Sequence, residues 1–325
     1  MPNENQHWVP KFLIKLFADG DGRVFRLDIH TDKITKPPPK YAASSVGFND
    51  FKIDGETVSF EDRLERIETQ AAPILKRIVS SRSLASLTTD ERRRVANFMA
   101  AQSFRTEAFY KGLEHNPSRQ EFGPLFNQLW LSAFIIADEI ARRHWAIMAI
   151  DGDEKFYLGD NPVVLQRTKN PKDGSNLGFD VEGIEAFLPL SPKCALYMPC
   201  RSTSAEVIDR YNSAVELHRA VRFNALRGIP GGSNELEISQ RVMRQSHEIY
   251  QALMTGSAII AKSHNIENLN YLQCSWANSA LYSNRRDFAF ARRVFRENPQ
   301  YRTAPKTMVA QLGAKLSQIP NGGFA

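Results

Sequence analysis

The chain is organised around the stretch Asn5-Gln6-His7-Trp8-Val9-Pro10-Lys11-Phe12-Leu13-Ile14-Lys15-Leu16-Phe17. This stretch places a histidine and two amide side chains directly before an apolar run. Pro10 stands near the start of that run, where its fixed φ angle suits the first turn of a helix. A start of this kind indicates that residues 5–17 are packed into the domain.

Short strand patterns follow this entry. Alternating residues at 24–28 predict a strand, and the turn at Asp32-Lys33 predicts a short partner for it. The turn at 151–153 predicts a hairpin between residues 145–150 and 155–158. Residues 186–190 and 194–198 are predicted to be neighbouring strands. Tight turns favour antiparallel pairing, so we expect a small, largely antiparallel sheet.

Helical periodicity covers most of the remaining chain. Thr88-Thr89-Asp90-Glu91 is a capping box, and residues 59–62 resemble a second capping signal, ahead of a helix that Pro73 is expected to kink or split. Residues 124–143 are apolar nearly all round, which predicts a central, buried helix. Further helices are predicted at about 205–223, 236–254, 266–282 and 288–296. The predicted fold class is therefore α+β, mostly helical with a small sheet.

Length and composition fit one large folded domain. The chain has 325 residues, of which 42% are hydrophobic and 24% are charged, which is enough apolar material for a sizeable core. The net charge is +6, but residues 289–325 alone carry +5. We interpret residues 1–298 as a single α+β domain and residues 299–325 as a basic, flexible tail. Such a tail could contact polyanions or serve only as a soluble end.

The cysteines and the hydrophobic runs bear on the compartment. Three cysteines without a C-x-x-C spacing argue against a disulfide framework and favour a reducing cytoplasm. Residues 1–6 are polar, so no signal peptide is expected. No run approaches the roughly 18 apolar residues that span a bilayer, so we expect no membrane contact.

Helical phase points two polar side chains inward. On the helix after Thr88, Gln102 lies four residues after Phe98, near the middle of the apolar face, and Arg105 lies at the edge of that face. A buried amide or guanidinium must be hydrogen-bonded, because an unpaired one is costly. Arg105 offers a planar fork suited to phosphate or carboxylate, and Gln102 can orient a water or a carbonyl. The alternative is a buried network with a structural role only.

A carboxylate and an amide lie in the turn Gly159-Asp160-Asn161-Pro162, directly after a predicted strand. Loops at strand ends often carry functional carboxylates. Asp160 is therefore a candidate catalytic residue or the site of a divalent metal ion, and Asn161 a candidate substrate-binding residue. The alternative is an Asx-turn without chemistry, which these residues readily form.

His7 is the remaining polar candidate. An imidazole with an unperturbed pKa of about 6.5 suits a general acid or base, whereas a structural histidine would cap the entry helix or bind a neighbouring backbone group. No Walker A, G-x-G-x-x-G or H-E-x-x-H motif is present, and the seven histidines lack zinc-ligand spacing. The residues alone therefore specify no reaction.

Four motifs stand out along the chain: His7-Trp8-Val9-Pro10, Gln102-Ser103-Phe104-Arg105-Thr106, Phe156-Tyr157-Leu158-Gly159-Asp160-Asn161-Pro162 and Pro189-Leu190-Ser191-Pro192. With them the chain resembles a widespread family of uncharacterised, mainly bacterial proteins that share a domain of unknown function. Trp8 and Gly159 depart from the usual Tyr and Ser, and Gly159 could change a hydrogen bond beside Asp160. The resemblance supplies no reaction, but it implies that the polar candidates belong to one site.

These residues favour an intracellular hydrolase or transferase that acts on a phosphate-bearing substrate such as a nucleotide or a nucleic acid. His7 would be the general base or acid, and Asp160 would bind a divalent ion or position His7. Arg105 would hold an anion and Gln102 would orient substrate or water. The alternative is a non-catalytic ligand-binding or regulatory module. Membership of a defence or toxin–antitoxin system is a further possibility.

Overall fold

A computed structural model describes residues 5–53, 55–111, 119–168, 178–179, 181–228 and 232–303. It confirms the α+β class, with long helices around small, mostly antiparallel sheets. The predicted tail beyond Thr303 lies outside the described residues.

The helices are α1 (Lys11–Lys15), α2 (Glu61–Ser81), α3 (Thr89–Phe104), α4 (Glu107–Lys111), α5 (Arg119–Arg142), α6 (Arg201–Leu226), α7 (Gly232–Thr255), α8 (Ser263–Trp276) and α9 (Ala289–Glu297). The strands are β1 (Asn5–His7), β2 (Phe25–Asp28), β3 (Ile34–Thr35), β4 (Ser44–Val46), β5 (Asp50–Ile53), β6 (Glu56–Ser59), β7 (Ala146–Ala149), β8 (Leu158–Gly159), β9 (Val164–Arg167), β10 (Ile184–Ser191), β11 (Cys194–Met198), β12 (Ala258–Ile260) and β13 (Ala280–Ser283). Two 3₁₀ turns lie at Pro39–Tyr41 and Pro299–Arg302.

Two larger sheets organise the chain. The first has the order β12-β7-β11-β10-β9 and is antiparallel except where β12 runs parallel to β7. The second has the order β3-β2-β13-β8 and is antiparallel throughout. Two further pairs, β1–β4 and β5–β6, belong to the N-terminal region. The predicted pairs β2–β3 and β10–β11 are confirmed.

Helix α3 connects two parts of the core. Its start is the predicted capping box, in which the Thr88 hydroxyl accepts from the Glu91 amide at 3.2 Å and the Glu91 carboxylate accepts from the Thr88 amide at 3.0 Å. Phe98 and Met99 face the main core beside α1 and α2, whereas Phe104 packs into a second apolar cluster. The C-terminal end of α3 is therefore buried on both faces, and any polar side chain there needs partners.

The predicted hairpin between residues 145–150 and 155–158 is wrong. β7 pairs with β11 and β12, and β8 pairs with β13 in the other sheet. The Ile150 amide donates to the Lys193 carbonyl and the Phe156 amide to the Pro192 carbonyl. Both ends of the turn are thus bonded to the β10–β11 connection and not to each other.

Three helix predictions also need correction. α5 is not central and buried, because Leu131, Phe134 and Ile135 are 64%, 57% and 75% exposed while its other side packs against α3. α2 continues through Pro73 without splitting. The helix predicted at 266–282 ends at Trp276 and is followed by β13. The backbone amides of residues 278–280 donate to the Asp160 carboxylate.

Candidate functional site

His7 lies at the end of β1, half-buried, opposite Ser44 of β4. Its Nε2 is 3.3 Å from the Pro39 carbonyl oxygen. A carbonyl only accepts, so this hydrogen bond requires the proton on Nε2 and leaves Nδ1 with its lone pair. Burial lowers the pKa of His7 below its ordinary 6.5, although the Pro39 carbonyl and Glu68 oppose that change. His7 is therefore a neutral imidazole with a basic nitrogen at neutral pH.

Gln102 ties α3 to the backbone beside His7. Its Nε2 donates to the Trp8 carbonyl at 2.7 Å, and its Oε1 accepts from Arg105 Nε at 2.9 Å. The side chain is almost wholly buried, as its helical phase predicted. Both ends of the amide are used, so Gln102 fixes the position of the entry strand relative to the guanidinium.

Arg105 is the most deeply buried charge beside His7, at 2% exposure. Its Nη1 forms an ion pair of 2.6 Å with Oε1 of Glu68, whose side chain is 22% exposed. The pair offsets much of the cost of burying the guanidinium, which would be strongly destabilising alone. Glu68 is the partly exposed partner, so solvent reaches the pair from the side of α2.

Sequence reasoning missed the carboxylates of α2. Glu61 and Glu68 are seven residues apart and share one face of the helix. Glu61 Oε2 accepts from Asn49 Nδ2 at 2.5 Å, and burial raises the pKa of Glu61 while Arg105 opposes that rise. The seven-residue spacing was a usable signal, but a buried Arg105 had to be known before its partner could be sought.

A further link joins the entry strand to the loop before β5. The Gln6 side chain donates to Asp50 Oδ1 at 2.8 Å, and its Oε1 accepts from the Asn49 amide at 2.5 Å. We call the whole set the entry network. Its members are Gln6, His7, Trp8, Asn49, Glu61, Glu68, Gln102 and Arg105.

The entry network leaves polar atoms unused. Within the described part of the chain, Trp8 Nε1, Asn49 Oδ1 and Arg105 Nη2 are buried and have no hydrogen-bond partner. Such groups are uncommon in folded proteins and call for an explanation. Two are donors and one is an acceptor, so these three atoms lack hydrogen bonds that a ligand beside His7 would supply.

Asp160 lies elsewhere and is saturated. Its Oδ1 accepts from the Asn278 amide at 2.7 Å, and its Oδ2 accepts from the Ser279 amide and hydroxyl, both at 2.7 Å, and from the Ala280 amide at 3.1 Å. Burial raises the pKa of Asp160, and the bonds from Ser279 and Asn278 counteract part of that rise. Within the part of the chain that the structure describes, the side-chain bonds of Asp160 go to residues 278–280, and none joins it to His7, Gln102 or Arg105.

The rest of the turn is bonded to α8. Gln273 accepts from the Gly159 amide at 2.7 Å and donates to the Pro162 carbonyl at 3.0 Å. A Cβ on Gly159 would lie 3.0 Å from the Gln273 side-chain oxygen and 3.3 Å from its backbone oxygen, so glycine fits this position closely. Asn161 Nδ2 approaches the Trp276 carbonyl at 3.4 Å. Asn161 therefore belongs to this second network as well.

The structure thus divides the candidates between two networks. Gln102 and Arg105 bond to each other, and His7 joins them through the Trp8 carbonyl that Gln102 binds and through the charge of Arg105, whereas Asp160 and Asn161 bind the segment from α8 to β13. Among the described residues, no group of three or more His, Cys, Asp or Glu side chains is placed to hold a metal ion. None of the described helices combines the length and apolar character needed to cross a membrane.

The chain belongs to the family described as "Protein of unknown function (DUF4238)", whose model matches residues 5–129 and 130–287. This assignment confirms the expected family of unknown function and carries no activity. No curated protein and no solved structure shows significant similarity to the chain.

Proposed function

We propose that the chain is a hydrolase or transferase acting on a phosphate-bearing substrate such as a nucleotide or a nucleic acid, with the entry network as its site. One observation carries this proposal. A neutral histidine with an available Nδ1 lies within the electrostatic influence of a buried arginine that still has an unused nitrogen. A base next to an anion-binding donor is the minimum that such a reaction requires.

His7 would act as the general base. Because its Nε2 is bonded to the Pro39 carbonyl, Nδ1 would accept the proton from a water or hydroxyl nucleophile. The lowered pKa keeps the imidazole neutral at pH 7, and Glu68 would stabilise the imidazolium that forms on proton transfer.

Arg105 would bind an oxygen of the transferred group. Gln102 holds Nε and Glu68 holds Nη1, so the guanidinium is pre-oriented and Nη2 is the nitrogen left to donate. Trp8 Nε1 would supply a second donor from the entry strand. Donors fixed before the substrate arrives stabilise developing negative charge without reorganisation.

Asp160 and Asn161 would support the site and not perform its chemistry. Asn278 links the two regions, because its backbone amide donates to Asp160 while its side chain donates to Glu107 at 2.9 Å. Glu107 follows Arg105 by two residues, so the Asp160 turn would help to hold the chain that carries the guanidinium.

The test compares His7→Gln with His30→Gln, a matched control at an exposed histidine. Both variants and the wild type would be assayed with nucleoside triphosphates, a phosphodiester ester and short single-stranded RNA and DNA, each with and without Mg²⁺. We expect His7→Gln to lose about 100-fold or more of turnover at an unchanged Tm, as for loss of a general base. Equal turnover in both variants would refute the role of His7.

The alternative is a non-catalytic ligand-binding module. It is favoured by the pairing of Arg105 with Glu68, which leaves the guanidinium only partly free for an anion. Saturable binding of one of these compounds, weakened by Arg105→Lys but without turnover by the wild type, would establish this reading instead.

A further inference from the structure

Helices α6 and α7 form a long antiparallel arm. They contact each other along the arm, through Tyr211 stacked on Tyr250 with ring centroids 4.1 Å apart and through His218 Nδ1, 3.0 Å from Ser239 Oγ. α6 packs mainly against α7, and α7 reaches the first sheet at β12 and β7. Most of the arm therefore has solvent around it.

The contact with α6 centres on one stripe of α7, with His247 beside the stripe against Tyr211. The stripe consists of Leu236, Ser239, Met243, Ser246, Tyr250 and Leu253, which are buried or half-buried at heptad spacing. Its buried serines are small and let the two helices approach closely. This seam explains how α6 and α7 pack together within one chain. It does not explain the apolar residues on the neighbouring surface of α7.

A second heptad stripe lies on that neighbouring surface. Ile238, Val242 and Ile249 are 44%, 40% and 41% exposed, and Gln245 stands between the last two. The spacing of four, three and four residues is that of a coiled-coil seam with one polar position. By helical phase, Leu217 of α6, 51% exposed, lies on the same flank of the arm. An exposed seam of this length marks an interaction surface.

The charged residues beside the second stripe indicate which partner packs on it. Arg241 directly precedes Val242, and Glu248 directly precedes Ile249. Both charged side chains are exposed, and neither forms an ion pair within the described residues. They lie almost symmetrically about Gln245 and have opposite charges. In an antiparallel pair of identical helices centred near Gln245, Arg241 would face Glu248 of the partner subunit, and this contact would occur twice.

We propose that a second copy of this chain docks on the second stripe of α7, so that two α6–α7 arms form an antiparallel four-helix bundle. Val242 would pack against Ile249 of the partner subunit, with Gln245 near the two-fold axis. α7 has 24 residues and is about 36 Å long, so an arm two helices wide offers roughly 700 Å² per copy. That area is close to what a stable dimer buries.

The arrangement is specific to one orientation. A parallel pair would set Arg241 beside the region of Ser246, which carries no charge, and the attraction would be lost. The two-fold contact is also closed, so it produces a dimer and not an open filament.

The first experiment measures the mass of the full chain by light scattering and sedimentation velocity at about 1 to 100 µM. We expect a concentration-dependent dimer that Val242→Glu and Ile249→Glu convert to a monomer with unchanged helical circular dichroism. Phe134→Glu, at an exposed apolar residue of α5, is the matched control and should leave the dimer intact. A monomeric wild type, or a dimer lost only in Phe134→Glu, would overturn the proposal.

Charge reversal tests the orientation. Arg241→Glu and Glu248→Arg should each weaken dimerisation about tenfold, because each brings like charges together twice. The double variant restores opposite charges and should recover most of the affinity at low salt. Failure of the double variant to improve on both single variants would exclude the antiparallel register.

Discussion

The entry network and the Asp160 turn are both buried and polar, but they differ in which side-chain atoms lack hydrogen-bond partners. Asp160 accepts four bonds, three of them from consecutive backbone amides, and within the described residues the turn leaves only the acceptor Asn161 Oδ1 without a partner. The entry network leaves two donors, Trp8 Nε1 and Arg105 Nη2, and the acceptor Asn49 Oδ1 without partners. A saturated carboxylate has little capacity left for a substrate, whereas unused donors beside a base can still bind one.

The largest effect should come from removing the saturated carboxylate. Asp160→Ala leaves three backbone amides and the Ser279 hydroxyl without their acceptor, and we expect it to lower the free energy of unfolding by at least about 4 kcal/mol. Urea unfolding measures this loss. Asp153→Ala, at a fully exposed carboxylate, is the control and should change stability by less than about 0.5 kcal/mol. A loss near zero in Asp160→Ala would remove the distinction between the two networks.

A smaller loss should follow from crowding the same turn. Gly159→Ser adds a Cβ 3.0 Å from the Gln273 side-chain oxygen, so the side chain must move away from the Gly159 amide. We expect a cost of about 1 to 3 kcal/mol, as for other overpacked sites. Gly152→Ser is the control, because a Cβ there meets no atom within 4 Å. Equal melting temperatures for the two variants would show that the turn tolerates a side chain.

His7 should affect stability least within the networks and should do so through pH. Because its pKa is lowered in the folded chain, the unfolded chain binds the proton more readily, and stability falls as the pH drops from 6.5 through the lowered pKa. His7→Gln should reduce that slope, and His144, whose pKa burial also lowers, should account for a slope of the same sign that remains. The check is urea unfolding of the wild type, His7→Gln and His30→Gln between about pH 5 and pH 7.5. An unchanged slope in His7→Gln would assign it to another group.

The smallest effect should come from the tail. Only two of the six basic residues in 289–325, Lys306 and Lys315, follow Thr303. Arg292 lies 3.1 Å from Asp32, and Arg293 lies 3.7 Å from Glu267. We expect truncation after Thr303 to leave the Tm unchanged and to alter any nucleic-acid affinity little, with a change in salt dependence of at most about two ion pairs. A large loss of affinity at low salt would support polyanion contact through the tail.

Helical phase explains why part of the entry network could be predicted. The inward position of Gln102 follows from that of Phe98 on the same helix, and Arg105 directly follows the last residue of that helix, at the edge of the same face. Glu68 could not be found in this way, because it lies on another helix and its pairing with Arg105 depends on how α2 packs against α3. Local sequence patterns assign a side chain to one face of its helix, but they do not identify the element that packs against that face.

Strand pairing failed for the same reason. The chain bends at residues 152–153, yet the residues on either side bond to the β10–β11 connection. The helix predicted at 266–282 includes most of the residues that form β13. The amides of residues 278–280 instead bond to Asp160, about 120 residues earlier in the sequence, and no local signal reports that contact.

The pairing of β2 with β13 also constrains how the chain is made. β2 is complete by Asp28, but its neighbour in the second sheet begins only at Ala280. At ribosomal speeds of about 5–20 residues per second, roughly 10 to 50 s separate the synthesis of the two strands. During that interval one edge of β2 has no strand beside it. Asp160 likewise lacks its hydrogen-bond donors in residues 278–280. The nascent protein therefore reaches its final topology only after residue 283 has been synthesised, and the open edge of β2 needs shielding until then.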